Sequence, residues 1–252
     1  MNIWKITTLI FYAVACLNLP AYCAETVKLR FTNDADVFAA LQSIGTLKKD
    51  KYEKTADFNK RICAETYKAL GVNDKTYVTL WAAFGEYATH AHYDADKQAF
   101  VFVVGTVDHF NDDNIIRNYS RNEAIQLALN YTEAPKPFTG KNEFGIEQEF
   151  KVGLQNYAVL YLPGKTYNTK IILPAKPEEA RKLDGDLRLA IETQIQTPCF
   201  KTERGHKSPT LQFHYDMTTS ERGFMGSKKS EWIIYRDSTK EVLKRGKFKL
   251  TM

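Results

Sequence analysis

The chain has 252 residues, of which 44% are hydrophobic and 26% charged, and its 35 Lys/Arg against 30 Asp/Glu leave a net charge of +5. That balance is globular, which excludes a disordered or low-complexity chain, and 13 Gly with 8 Pro are too few for a fibrous repeat. Fifteen Phe and 14 Tyr supply aromatic mass for a sizeable core.

Residues 1–24 read as a leader: one positive charge at Lys5, an apolar stretch over 6–19, a Pro20 breaker, and small or tolerated residues at Ala21 and Cys23. This is the pattern of a secretory signal peptide cut after Cys23. An alternative makes Cys16 a lipid-modified N-terminus, because Ala15 before it is small, although Ala13 stands where a Leu is usual. No later segment approaches the roughly 18 apolar residues of a bilayer span, so the mature chain is expected to carry no transmembrane segment and to be periplasmic or secreted. Two of the four Cys lie in the leader. The other two, Cys63 and Cys199, form a disulfide candidate in an oxidising compartment, one buried and one exposed thiol being the alternative.

The first helix is expected over 36–45, with Val37, Phe38, Leu41 and Ile44 on one face and Gly45 as a stop. A second follows a charged turn: Thr55 as N-cap, Asp57 in the first turn, Phe58, Ile62, Cys63, Ala69 and Leu70 on one stripe, and an end at Gly71. Residues 77–84 read as a strand. Alternation over 87–93, turn composition at 94–97 and a return over 99–104 predict a hairpin. Ser120 to Glu123 reads as a capping box opening a helix over 124–130. After a loop with Pro135 and Pro137, strands are expected at 147–154, 157–162 and 167–173, then a short helix with Pro177 in its first turn.

Residues 187–195 alternate strictly, which predicts a strand with one face buried and one wet. A strand through Leu211, Phe213, Tyr215 and Met217 follows, then a Ser-, Gly- and Lys-rich loop over 218–230, then a hairpin of 232–235 with 242–250 around Asp237 to Lys240. The fold class is therefore α+β: an antiparallel β-rich sheet or sandwich with two or three short helices, mainly in the N-terminal half. A division near Pro163-Gly164 would separate a mixed region, 24–163, from an antiparallel β region, 164–252, with one shared core.

Charge is uneven, since from Lys201 onward twelve Lys/Arg face six Asp/Glu. Lys228, Lys229, Lys244, Arg245, Lys247 and Lys249 are a candidate basic surface for an anionic envelope component or an envelope protein. Lys-rich strands also discourage edge-to-edge pairing. The segment lacks the regularly interleaved aromatics of a nucleic-acid surface, so no nucleic-acid partner is assigned.

His90-Ala-His92-Tyr-Asp94-Ala-Asp96 places imidazoles and carboxylates at period two, a spacing compatible with metal ligation. His90, His92 and Asp94 resemble the histidine-x-histidine-x-aspartate core of the metallo-β-lactamase fold, which implies a metal-dependent hydrolase. Here Ala95 and a strand follow where that family continues with a histidine and a helix, so the bottom-up reading is a hairpin arm with outward histidines and turn acids. Asp108 with Asn111, Asp112, Asp113 and Asn114 offers oxygen ligands but lacks the spacing and glycine of a calcium loop. His109, His206 and His214 are isolated, and Glu147 and Glu149 read as a solvated pair. Two glycosylation sequons begin at Asn118 and Asn130. A serine elbow, a phosphate-binding glycine loop, H-E-x-x-H and C-x-x-C are all missing. No cofactor and no catalytic residue are assigned.

Three segments, KDKYEKTADFNKRI from Lys49, TGKNEFG from Thr139 and EWIIYRDSTKEVLKRGK from Glu231, resemble recurring blocks of uncharacterised exported bacterial proteins. The resemblance implies a bacterial envelope setting and a mixed α/β domain and brings no reaction. In the first block Phe58 is expected in the core, with Arg61 either forking a carboxylate or backbone group or lying solvated. The expectation is a non-enzymatic binding or assembly module of the envelope. Its rival is an exported hydrolase using His90, His92 and Asp94.

Overall fold

The computed structural model describes residues 25–84, 89–104, 124–134, 136–141, 145, 147–163, 170–209 and 214–248. The leader, Tyr87, the polar loop 108–114 with His109, Asn118, the capping box at 120–123, Pro135, Leu211, Phe213 and Lys249 lie outside them.

Helix α1 (Asp34–Gly45) is capped by Asn33, whose Oδ1 accepts from Asp36 N at 2.9 Å, and it buries Val37, Leu41 and Ile44. Helix α2 (Thr55–Leu70) buries Ile62, Cys63, Thr66 and Leu70 and stops at Gly71, which takes the left-handed conformation of a C-cap at φ +65°. Thr55 is the first helical residue rather than the cap. Its hydroxyl accepts from Lys49 Nζ at 2.8 Å, and the cap position, Lys54, makes no side-chain bond.

The turn before α2 is clamped by Arg61. Its Nε and Nη2 donate to the Glu53 carboxylate at 3.2 and 2.8 Å, and Nη2 also donates to Lys48 O at 2.9 Å. The guanidinium lies 5.2 Å from the Phe58 ring centroid. The hydrogen bond from Arg61 holds the Glu53 carboxyl below its usual range. Because the folded pKa is the lower one, this contribution to stability is present above the unfolded pKa and fades as pH falls through the folded value. Arg61→Ala is expected to return Glu53 to the ordinary carboxylate range, which carboxyl-detected NMR titration checks.

Strands β1 (Tyr77–Trp81), β4 (Ala124–Glu133), β5 (Phe138–Lys141), β6 (Glu147–Tyr161), β8 (Leu187–Lys207), β9 (Tyr215–Gly226), β10 (Glu231–Arg236) and β11 (Val242–Lys247) form one eight-stranded sheet. Its main path runs β11-β10-β8-β9-β6-β4, with β1 on β8 and β5 on β6. Strands β2 (His90–Asp94), β3 (Ala99–Val103) and β7 (Lys170–Pro174) form a second sheet, in the order β2-β3-β7. Helix α3 (Pro177–Leu183) leads from β7 to β8. Among the described residues the protein is thus β-rich, with two sheets and three helices, but α3 puts a helix in the C-terminal half as well. The large sheet is also mixed, since β6 and β9 run parallel, from Lys151↔Tyr215 to Tyr161↔Met225.

Two further expectations concern whole elements and are corrected. The stretch expected as a helix over 124–130 is strand β4, paired with β6 from Ala124↔Tyr161 to Glu133↔Gly153. Its first five residues are all buried, so the apolar run fits a strand covered on both faces, and pairing with β6 overrides the helix preference of Ala and Leu. The expected loop over 218–230 is mostly strand β9, flanked by β6 and β8. Small residues there serve packing rather than flexibility. A Cβ on Gly223 would stand 2.4 Å from Val159 Cγ2 and 2.6 Å from Val159 O.

Helix α1 packs on β4, β6 and β9, and α2 packs on β8. A continuous cluster joins residues from both halves of the chain, including Leu41, Phe102, Leu160, Leu189, Phe224 and Ile234. Cys63 on α2 is bonded to Cys199 on β8, with their Cα atoms 5.2 Å apart. Cys199 lies at φ +64° where the β8–β9 register shifts between Ile195 and Phe200.

Residues 25–31 form a strap across the outer face of β8 and β10. Val27 N donates to Lys240 O, Val242 N to Glu25 O, and Arg30 N to Thr79 O, each within 2.9 Å. Val27 and Leu29 thereby cover Ala190, Ile233 and Tyr235. The face of β8 expected to be wet is accordingly dry at Ala190, while Arg188, Glu192 and Gln194 stay half-buried.

Candidate binding cleft

Where the strap, the start of α1, the end of β1 and the β10–β11 turn meet, they enclose a cleft of about 520 Å³. That volume falls in the range of small-molecule sites, roughly 300–1,000 Å³. Val27 and Leu29 line it from the strap, and three aromatic side chains, Trp81, Phe84 and Tyr235, supply flat walls. Arg188, Asp237, Lys240 and Asp34 bring charge to the same space.

Arg188, Asp237 and Lys240 are held by their surroundings. Arg188 Nη1 donates to Gly185 O at 3.0 Å and Leu187 O at 2.8 Å, and its guanidinium lies 5.6 Å from the Phe84 ring centroid. Asp237 Oδ2 is 3.7 Å from Arg188 Nε, and Asp237 Oδ1 accepts from Lys240 Nζ. That ammonium lies 5.6 Å from the centre of the Tyr235 ring. Asp186 anchors the turn from below, accepting from Ser238 N at 2.8 Å and Ser238 Oγ at 2.7 Å, and these bonds keep its carboxyl below the usual range. Burial, with Asp237 adding to it, pushes the Tyr235 hydroxyl up to about 12. Burial also raises the Asp34 carboxyl. The cleft therefore presents rigid aromatic walls and positioned cations, one carboxylate, Asp237, being shared between Arg188 and Lys240.

None of the residues singled out from sequence as candidate site residues lies in the cleft. In the sequence Trp81 reads only as an apolar residue within the strand expected over 77–84, and Asp237 to Lys240 only as a turn. The signal for Arg188 was weaker still, a polar residue in an alternating strand. They converge because β1 and β10 both pair with the first part of β8.

The histidine hairpin forms with His90↔Val103 and Asp94↔Ala99 in register. His90 and His92 are exposed, while Ala91 and Tyr93 pack against the core. Asp94 is occupied by its own turn: Oδ1 accepts from Lys97 N at 3.0 Å and Oδ2 from Lys97 Nζ, which holds its carboxyl below the usual range. Among the described residues no group of three or more His, Cys, Asp and Glu could hold a metal ion. His206 pairs with Asp216 at 2.6 Å, and His214 contacts Gln148. Glu147 meets Lys141 at 3.3 Å, and Asn130 is exposed on β4.

Of the candidate basic residues, Lys228, Lys229, Lys244, Arg245 and Lys247 lie among the described residues and are exposed. Arg245, on the edge strand β11, contacts Glu25, Glu192 and Glu231. Lys244 Nζ donates to Ile172 O on β7 at 2.7 Å, bridging the two sheets. Lys247 is exposed on β11, and Lys228 and Lys229 are exposed on the turn between β9 and β10. That turn is held by buried hydroxyls, with Thr193 Oγ1 accepting from Ser227 N at 3.0 Å and lying 2.6 Å from Ser230 Oγ.

A second buried polar group lies on the outer face of β6 and β9. Tyr161 donates to the buried Glu221 carboxylate, and burial, with the Glu221 charge nearby, pushes the Tyr157 hydroxyl up to about 12. Among the described residues no helix is long and apolar enough to cross a membrane. Comparison of the chain with known families, curated proteins and solved structures gives no match.

Proposed function

We propose that the chain is an exported, non-enzymatic binding module of the bacterial envelope, released by cleavage after Cys23, and that it holds a small amphipathic ligand in the cleft. The cleft carries the reading: three aromatic walls around positioned Arg188 and Lys240, at a volume that fits a small molecule. Export is supported by the leader pattern and by the Cys63–Cys199 bridge, a bond that persists in oxidising compartments. A flat apolar body would lie against Trp81 and Phe84, and an anionic group would meet the two cations.

The test uses the chain beginning at Ala24 and anilinonaphthalene sulfonate, a planar aromatic anion. Saturable, equimolar binding that quenches Trp81 emission is expected, with Trp232→Phe as the background that isolates that signal. Arg188→Ala should weaken binding about tenfold or more, as loss of a charge-assisted contact does. Binding without saturation, or unchanged by both Arg188→Ala and Trp81→Phe, overturns the cleft as the site.

A further inference from the structure

In the turn before α2 the acids Asp50, itself exposed, and Glu53 are spent on hydrogen bonds within the turn and to Arg61, while the lysines around them are exposed. Asp50 Oδ1 accepts from Tyr52 N at 2.8 Å, Asp50 O accepts from Glu53 N at 3.2 Å, and the Glu53 carboxylate is taken by the Arg61 fork. Lys49 is tied to the Thr55 hydroxyl. What projects is Tyr52, 85% exposed, with Lys48, Lys51 and Lys54 exposed around it. Lys51 Nζ lies 5.5 Å from the centre of the Tyr52 ring. Tyr52 thus packs against no part of the core, while the backbone beneath it is held by side chains spent on that purpose.

We propose that this turn is a docking tip for an anionic lipid bilayer. The shape selects the partner, because a convex tip cannot enclose a small ligand or bury a peptide, whereas a flat, fluid surface receives it. The chemistry agrees. A tyrosine ring sits with its apolar body below the headgroups and its hydroxyl among them, and lysines lay their stems along the surface while their ammonium groups meet anionic headgroups. The pinned backbone means that little conformational freedom is lost on contact. This surface is separate from the cleft and does not depend on a ligand there.

Sedimentation of the chain beginning at Ala24 with vesicles tests the proposal, using equal parts phosphatidylglycerol and phosphatidylcholine against phosphatidylcholine alone. Binding to the anionic vesicles only is expected, weakening with salt. Lys51→Gln and Lys54→Gln should each lower partitioning about fivefold, the share of one lysine near an anionic surface. Tyr52→Ala should lower it further at unchanged charge, and Tyr52→Trp should shift its emission to the blue on anionic vesicles alone. These substitutions leave Arg61, Glu53 and Asp50 in place, and an unchanged circular dichroism spectrum confirms the fold. No binding at low salt, binding indifferent to the lysine variants, or a Tyr52→Ala variant that binds as wild type each overturns the proposal, as does equal Tyr52-independent binding to soluble dextran sulfate.

Discussion

Replacing both bridged cysteines, Cys63→Ala with Cys199→Ala, is expected to lower the unfolding free energy by about 4–5 kcal/mol, the chain-entropy value for a loop of this length. The bridge closes 136 residues, more than half the chain. It ties α2 to β8, so it joins the helical N-terminal part to the longest strand of the large sheet. Cys63 is 8% exposed and Cys199 fully buried, so alanine leaves two small apolar residues in a dry site and the loss reads mainly the freed unfolded chain. Guanidinium unfolding checks this: the midpoint should fall and the slope should rise as the unlinked denatured chain expands. Thiol titration of the denatured, unreduced wild-type chain beginning at Ala24 should find no free thiol. A midpoint unchanged by the double substitution would mean that the bridge contributes nothing.

Phe224→Ala is expected to cost about 3–5 kcal/mol, the range for removing a fully buried aromatic ring. Phe224 is 0% exposed and lies between Leu160 of β6 and Phe200 of β8 in register. Its ring stacks on Phe31 at 6.4 Å, which joins the strap region to the central strand. The neighbouring Thr218→Ala is the control, expected within about 0.5 kcal/mol because its side chain is only half-buried. Were residues 218–230 the surface loop their composition implies, the two substitutions would cost the same, and equal midpoints in denaturant would show it.

The three sequence blocks beginning at Lys49, Thr139 and Glu231 correspond to local structural devices. KDKYEKTADFNKRI builds the Arg61-clamped turn and the first half of α2. TGKNEFG contributes most of β5, whose Phe138 ring lies 5.5 Å from Phe150 on β6. EWIIYRDSTKEVLKRGK is the β10–β11 hairpin, in which the Trp232 ring lies over Gly246 so closely that a Cβ there would stand 2.4 Å from Trp232 Cζ2. What such a string shows is the contact made within it, the Arg61 clamp or the β10–β11 pairing, whereas the bonds of the hairpin to Glu25, Ile172 and Asp186 join it to distant parts of the chain.

The same rule divides what the sequence determined by itself from what only the tertiary structure decided. Helices α1 and α2, the β2–β3 hairpin with its outward histidines, the alternation of β8 and the β10–β11 hairpin were legible, because the period of apolar residues and the turn chemistry that set them are contained in the segment. Strand β4 was not, since AIQLALN is compatible with either period and the partner that chose the strand, β6, begins more than a dozen residues later. Nor was β9, whose Ser, Thr and Gly are required by neighbours on both sides and cannot announce a strand alone. The candidate cleft was the least legible feature. Its strap, helix start, strand end and turn come from positions between Val27 and Lys240, and no spacing in the chain encodes their meeting, which exists only because β1 and β10 pair with the same stretch of β8 and the strap closes over it.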